Sequence, residues 1–146
     1  VDDFIVEMEQ RQPAVIMSMG YLGESQLEEA PENRLEGGGN GYGAAWAGRP
    51  VVDGGPNLLS TDLPVDVVDA ALKRFGWSRR VKTARLDNDY QPTHDGYVCN
   101  YLNYQLAYTF GNDDDVEAGF FHINSTRVTD QLHAVLTALV AHQQAR

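Results

Sequence analysis

Residues 14–19 read Ala-Val-Ile-Met-Ser-Met, a continuous apolar run near the start of the chain. A continuous run of this kind is typical of a strand buried on both faces, as in a parallel sheet. The short aromatic run Gly119-Phe120-Phe121-His122-Ile123 predicts a second strand. Weaker strand candidates are the alternating stretch Arg80 to Leu86 and the stretch Trp46 to Asp53, which fits only a short edge piece because it contains a proline.

Helical periodicity surrounds these strands. It predicts four helices, over Val1 to Arg11, Pro64 to Phe75, about Gly96 to Phe110, and Thr129 to Ala145. Thr61-Asp62 and Asp95 are the candidate caps of the second and third helices. Because strands alternate with helices, we expect one α/β domain over residues 1–146, a three-layer α/β/α sandwich with a mostly parallel sheet.

Composition and charge narrow the function classes. The chain has 146 residues, of which 42% are hydrophobic and 22% are charged, enough for one core. Its net charge of −10 disfavours nucleic acid and anionic membranes as partners, and stretches such as Ala134 to Ala141 are too short to span a bilayer. The single cysteine excludes an intrachain disulfide and a four-cysteine zinc site. A lone thiol fits a reducing compartment such as the cytoplasm.

Two residues are candidates for chemistry. Cys99 lies near the predicted start of the third helix, where backbone N–H groups and the helix dipole stabilise a thiolate. The alternative is a small buried core residue, which is common for cysteine. His122 is either a core histidine or a site residue at the C-terminal end of its strand, where ligands collect in α/β sheets. The periodicity of the last helix makes His133 and His142 surface residues.

An acidic stretch follows the first strand. Its glutamates are Glu24, Glu28, Glu29, Glu32 and Glu36. They form either a solvated loop or the source of one carboxylate that orients a histidine, which would complete a Cys/His/acid triad.

Several of these motifs resemble the pyroglutamyl peptidases, also called pyrrolidone-carboxylate peptidases. The run Gly96-Tyr97-Val98-Cys99-Asn100 is similar to that family's nucleophile motif, and Gly119 to Ile123 is similar to its Gly-Phe-x-His-aliphatic strand. Ser60 to Val65 resembles the family's helix start, and Val15 to Gly20 resembles its strand that ends in glycine. The matches are collinear over roughly residues 1–123.

The resemblance implies a cysteine peptidase acting on N-terminally pyroglutamylated peptides. Cys99 would be the nucleophile and His122 the general base, with no metal or organic cofactor. The family's glutamate is followed five residues later by asparagine, which fits Glu28 with Asn33. Glu32 and Glu24 compete for that role. The residues before the nucleophile, His94-Asp95-Gly96, depart from the family's Ser-Ala-Gly.

Two other functions stay open. One is a different Cys/His amidase or hydrolase on the same fold, and the other is a non-catalytic binding or assembly module. The resemblance starts after the family's first strand and substrate loop, so we expect the domain to be incomplete at its N-terminus, either because that segment was removed or is unseen or because this is a shortened relative. We therefore expect the chain alone to turn over pyroglutamyl substrates poorly and to associate through an open strand edge, with a homo-oligomer as one outcome.

Overall fold

The computed structural model describes residues 1–21, 26–28, 30–35, 48–75, 98–123 and 127–146. These contain four α-helices: α1 (Asp2–Arg11), α2 (Val65–Leu72, extended by a 3₁₀ turn over Lys73–Phe75), α3 (Val98–Phe110) and α4 (Val128–Gln144). The strands are β1 (Val15–Tyr21), β2 (Gln26–Glu28) and β3 (Glu117–Ile123). All four predicted helices and the two predicted strands over residues 14–19 and 119–123 are confirmed. None of the helices in these ranges has the length and apolar character that crossing a membrane requires.

The three strands form one sheet in the order β1-β3-β2. β1 and β3 are parallel, with Ile16 opposite Ala118 and Gly20 opposite His122. β2 pairs with β3 in the antiparallel direction, with Leu27 opposite Phe121. Every residue of β3 is buried, as expected for the central strand of a sheet covered on both faces.

Helices cover the two faces of this sheet. On one face, α1 and α3 enclose an apolar cluster made by Ile5, Ile16, Leu106, Phe110, Val116 and Ala118. On the other face, α2 and α4 enclose a second cluster made by Leu27, Leu63, Val68, Leu72, Phe121, Ile123, Val135 and Leu139. Burial of each large apolar side chain in these clusters contributes about 1.5–3 kcal/mol to the free energy of folding. With a helix layer on each face of the sheet, the observed architecture is the predicted α/β/α sandwich.

The stretch from Trp46 to Asp53 was predicted as a short edge strand, and this prediction is wrong for residues 48–53. They form turns and bends between Gly48 and Gly54, whose φ angles are +75° and +73°. The backbone of Val52 bonds to the Asn33 side chain in both directions, at 2.8 and 2.9 Å. Because the Asn33 amide satisfies these groups, residue 52 needs no neighbouring strand. The other weak candidate, Arg80 to Leu86, lies outside the described residues.

The predicted caps of α2 are also wrong. The N-cap of α2 is Pro64, without a side-chain hydrogen bond. Thr61 Oγ1 instead donates to the carbonyl of Ala118 at 3.2 Å, and Asp62 N–H donates to the same oxygen at 3.1 Å. These two residues fasten the loop before α2 to β3. Asp95, the predicted cap of α3, lies outside the described residues.

The C-terminal end of α4 is tied to the start of β3. Glu117 is buried, and its Oε1 lies 3.2 Å from His142 Nε2 and 3.3 Å from Arg146 Nη1. Arg146 Nη2 also donates to the carbonyl of Asp114 at 2.6 Å. His133 is exposed as predicted, whereas His142 is half-buried because it faces this carboxylate.

Candidate functional site

Cys99 is the second residue of α3, which begins at Val98, and its side chain is half-buried. The first N–H groups of a helix have no intrahelical acceptor, and the positive end of the helix dipole lies there. Reactive cysteines in proteins are often found at such positions. The location expected for the nucleophile, near the start of the third helix, is therefore the observed one.

His122 is the next-to-last residue of β3 and is 5% exposed. Its ring packs edge-on against Phe120, with the ring centroids 5.2 Å apart and an interplanar angle of 63°. On β1 it faces Gly20, where an added Cβ would lie 2.9 Å from Phe120 Cζ and 3.3 Å from His122 Nδ1. Glycine at position 20 therefore leaves the space that these two rings occupy.

The start of α3 and the end of β3 lie at the same edge of the sheet. Phe110, which ends α3, packs with Val116 and Ala118 near the start of β3, so the helix runs back along the strand. With 13 and 7 residues, the two elements are each about 20 Å long. His122 shares a face of β3 with Ala118, the face that α3 covers, because side chains alternate along a strand. This arrangement is compatible with the predicted Cys99–His122 pair, which stays a prediction.

Position 28 lies on this same face. Glu28 ends β2 and is paired with Phe120, while Gln26 is paired with His122. Paired residues of antiparallel strands share a face, so positions 28 and 122 are diagonal neighbours. Such neighbours are typically about 7–8 Å apart, within reach of long side chains. The backbone therefore gives Glu28 a position from which a carboxylate can orient an imidazole.

Glu32, the competing acid, is buried beside the start of α3. Only 2% of the residue is exposed, and its backbone is bonded to the side chain of Asn100, the residue after Cys99. The structure thus brings two of the predicted acids, Glu28 and Glu32, to this end of the sheet. Glu24, Glu29 and Glu36 lie outside the described residues.

Sequence reasoning assigned no role to three polar residues that organise this region. Asn100 bonds to the backbone of residues 32 and 34, Asn33 bonds to that of residues 52 and 55, and Tyr104 Oη donates to the carbonyl of Pro56 at 2.6 Å. The available signal was their place in the motifs, since Asn100 follows the candidate nucleophile and Asn33 follows Glu28 by five residues.

The chemistry open to this arrangement is nucleophilic. A thiol at a helix start and a histidine at a strand end are two components of acyl transfer through a thioester, and the predicted carboxylate would be the third. Helix-start N–H groups are suitable donors to an oxyanion. Within the described residues, no group of three or more His, Cys, Asp or Glu side chains is arranged to hold a metal ion.

Solved structures that are similar to this chain include pyroglutamyl and pyrrolidone carboxyl peptidases. Pyroglutamyl peptidase I from Bacillus amyloliquefaciens matches with a TM-score of 0.74 and 22% identity, over 97% of this chain and 74% of that protein. Pyrrolidone carboxyl peptidase from Thermococcus litoralis matches with a TM-score of 0.72 and 12% identity, over 98% of this chain and 73% of that protein. The Thermus thermophilus enzyme matches with a TM-score of 0.68 and 19% identity, over 97% of this chain and 76% of that protein. No protein-family model and no curated protein matches the sequence. The resemblance drawn from the motifs is thus confirmed at the level of the fold.

Proposed function

We propose that this chain is a cysteine peptidase that removes N-terminal pyroglutamyl residues from peptides. The observation that carries the proposal is that the start of α3, which contains Cys99, and the end of β3, which contains His122, lie at the same end of the sheet. The fold, shared with pyroglutamyl peptidases at TM-scores up to 0.74, supports the choice of reaction and substrate. Peptides that begin with pyroglutamate are accordingly the proposed partners.

The proposed reaction is acyl transfer. His122 takes the thiol proton and the Cys99 sulfur bonds to the carbonyl carbon of the pyroglutamyl residue, giving a tetrahedral oxyanion that N–H groups at the start of α3 stabilise. The C–N bond then breaks, and His122 returns the proton to the leaving amine of the shortened peptide. A water molecule, deprotonated by His122, attacks the thioester, releases pyroglutamate and restores the thiol.

Glu28 is the proposed third member of the triad. Its strand position is diagonal to that of His122 on the same face of the sheet, so its carboxylate can hold the imidazole in the orientation that proton transfer needs. Glu32 is the competitor, since it is buried beside the residue that follows Cys99. Glu28 lies in β2, which pairs with β3, whereas Glu32 lies outside β2. This difference favours Glu28 as the acid.

A different Cys/His amidase is the second candidate. The buried Glu32 favours it, because this residue lies beside the start of α3 and is a second candidate for the acid. Substrate preference separates the two functions. A non-catalytic binding module would carry neither activity nor an activated thiol.

The test combines substrate hydrolysis with thiol reactivity. We expect the chain to hydrolyse pyroglutamyl-coumarin in preference to alanyl- and glycyl-coumarin, at a low rate. We also expect iodoacetamide to alkylate Cys99 with a pH midpoint well below the ~8.5 of an ordinary thiol. Cys99→Ala should abolish hydrolysis, and His122→Gln should lower it by roughly 10²–10⁴-fold, the usual contribution of a general base.

The matched pair Glu28→Gln and Glu32→Gln decides the acid, because the same change is made at two nearby carboxylates. We expect Glu28→Gln to lower kcat by more than tenfold and Glu32→Gln to lower it by less. The reverse order would move the role to Glu32. Faster hydrolysis of ordinary aminoacyl amides would establish the amidase, and an ordinary alkylation midpoint without turnover would establish the non-catalytic module.

A further inference from the structure

We infer that Asn100 is a positioning residue that fixes the segment of residues 30–35 against the start of α3. The inference rests on the proposed function in one respect, since it takes Cys99 to be the nucleophile. It concerns how the acidic segment and the nucleophile helix are held in register, rather than which groups react.

Asn100 uses both ends of its amide on backbone groups of that segment. Its Oδ1 accepts the N–H of Glu32 at 2.8 Å, and its Nδ2 donates to the carbonyls of Glu32 at 2.9 Å and Arg34 at 3.2 Å. The residue is 4% exposed, so water does not compete for these bonds. These bonds use one acceptor and two N–H donors, which a carboxamide supplies, whereas a hydroxyl or a neutral imidazole has a single donor.

The segment is held from its other side as well. Asn33 Nδ2 donates to the carbonyls of Val52 and Gly55 at 2.9 and 3.0 Å, and the N–H of Val52 donates to Asn33 Oδ1 at 2.8 Å. Leu35 N–H donates to the carbonyl of Arg49 at 2.8 Å. With residues 30–35 anchored to residues 48–55, the bonds from Asn100 set where the start of α3 stands relative to them.

The position of residues 30–35 relative to α3 matters because this segment follows β2 in the chain. Pairing of β2 with β3 fixes position 28 relative to His122. Asn100 fixes the start of α3 relative to residues 32–34, only a few residues further along the chain. Together the two sets of bonds link the positions of the proposed nucleophile Cys99, the proposed base His122 and the proposed acid Glu28. A displacement of about 1 Å within such a site costs roughly 100-fold in rate.

The test is Asn100→Ala, with Leu106→Val as the matched control. Leu106 lies on the same helix and is fully buried in the cluster between α3 and the sheet, but it lies away from the start of α3. Three readouts are compared: the melting temperature, the pH midpoint of Cys99 alkylation, and amide hydrogen exchange at Glu32. We expect both variants to melt at lower temperature. Only Asn100→Ala should move the alkylation midpoint toward ~8.5, lower kcat more than tenfold and speed exchange at Glu32 more than tenfold.

Equal loss of melting temperature in the two variants, with an unchanged alkylation midpoint and unchanged kcat in Asn100→Ala, would reduce Asn100 to a packing residue. Unchanged amide hydrogen exchange at Glu32 would show that Asn100 does not fix residues 30–35 against the start of α3. Failure of the proposed function looks different, because the unsubstituted chain would then show an ordinary thiol and no hydrolysis. In that case, amide hydrogen exchange at Glu32 still tests whether Asn100 fixes residues 30–35 against the start of α3.

Discussion

At the scale of single residues, the carboxyl group of Asp62 has an unfavourable environment. Burial raises its pKa above the ordinary value, and the nearby Glu117 carboxylate raises the pKa further. Asp62 Oδ2 is buried and has no hydrogen-bond partner among the described residues. An added Cβ at Gly111, just past the end of α3, would lie 3.3 Å from this oxygen. Asp62 therefore lies close to the C-terminal end of α3.

The raised pKa predicts how stability depends on pH. Because the folded state holds the Asp62 proton more tightly than the unfolded state, this group favours folding at pH values below its unfolded pKa. That contribution is lost as the pH rises through the folded pKa. Asp62→Asn keeps the shape and removes the charge, so we expect it to raise the melting temperature by a few degrees at pH 7 and to have little effect near pH 4.

The control for this prediction is Asp53→Asn, the same change at an exposed carboxylate. Its melting temperature should follow that of the unsubstituted chain at every pH from 4 to 8. A rise at pH 7 in both variants, or in neither, would show that the environment of Asp62 does not govern this part of the pH profile.

At the scale of elements, the close approach of β1 and β3 at Gly20 determines the room available to the candidate base. Gly20 and Gly119 are both sheet glycines without space for a side chain, but on opposite faces. An added Cβ would meet Phe120 and His122 at Gly20, and Thr61 and Leu63 at Gly119. The first face carries the candidate site and the second carries the cluster under α2 and α4.

Substituting the two glycines with alanine separates damage to the site from damage to the fold. Gly20→Ala should displace the rings of Phe120 and His122 and, if His122 is the proposed base, slow Cys99 alkylation at pH 7 by about tenfold or more. Gly119→Ala should lower the melting temperature as much or more, since side-chain atoms of Thr61 and Leu63 must shift, and should leave the alkylation rate unchanged. Equal alkylation rates in the two variants would argue against a role for His122 in activating Cys99.

At the scale of the whole molecule, the described part of the sheet has β1 at one edge. Among the strands that the structure describes, β1 pairs with β3 alone. Its residue Met19 is 44% exposed. A strand edge that offers unpaired N–H and C=O groups beside apolar side chains is a template for pairing with another chain.

We therefore expect the chain to associate through β1, and Met19→Lys to reduce light scattering at equal protein concentration. A lysine on an edge strand opposes pairing, because a second copy would bring its own lysine close by. Val140→Lys is the matched control, since Val140 is 53% exposed but lies on α4. Equal reductions would indicate general apolar attraction, and a chain that is monodisperse without substitution would show that the β1 edge is not the cause of association.

Most of the layered fold could be predicted because its signals are local. The apolar run over residues 14–19, the run Gly119 to Ile123 and the periodicity of α4 depend only on neighbours a few positions away. The same holds for the placement of Cys99 at a helix start and of His122 at a strand end. These features establish the α/β class and the two residues on which the proposed chemistry depends.

Only the tertiary structure decided the features that need distant partners. β2 has three residues, too few for a pattern, and exists as a strand because β3 supplies its hydrogen bonds. Residues 48–53 are irregular because Asn33 satisfies the backbone of Val52. The hydrogen bond from the N–H of Glu32 to Asn100 Oδ1 joins residues 68 positions apart. Which residues of β1, β2 and β3 share one face of the sheet depends on strand order and register, and these are set by burial of the two apolar clusters rather than by any short stretch of sequence.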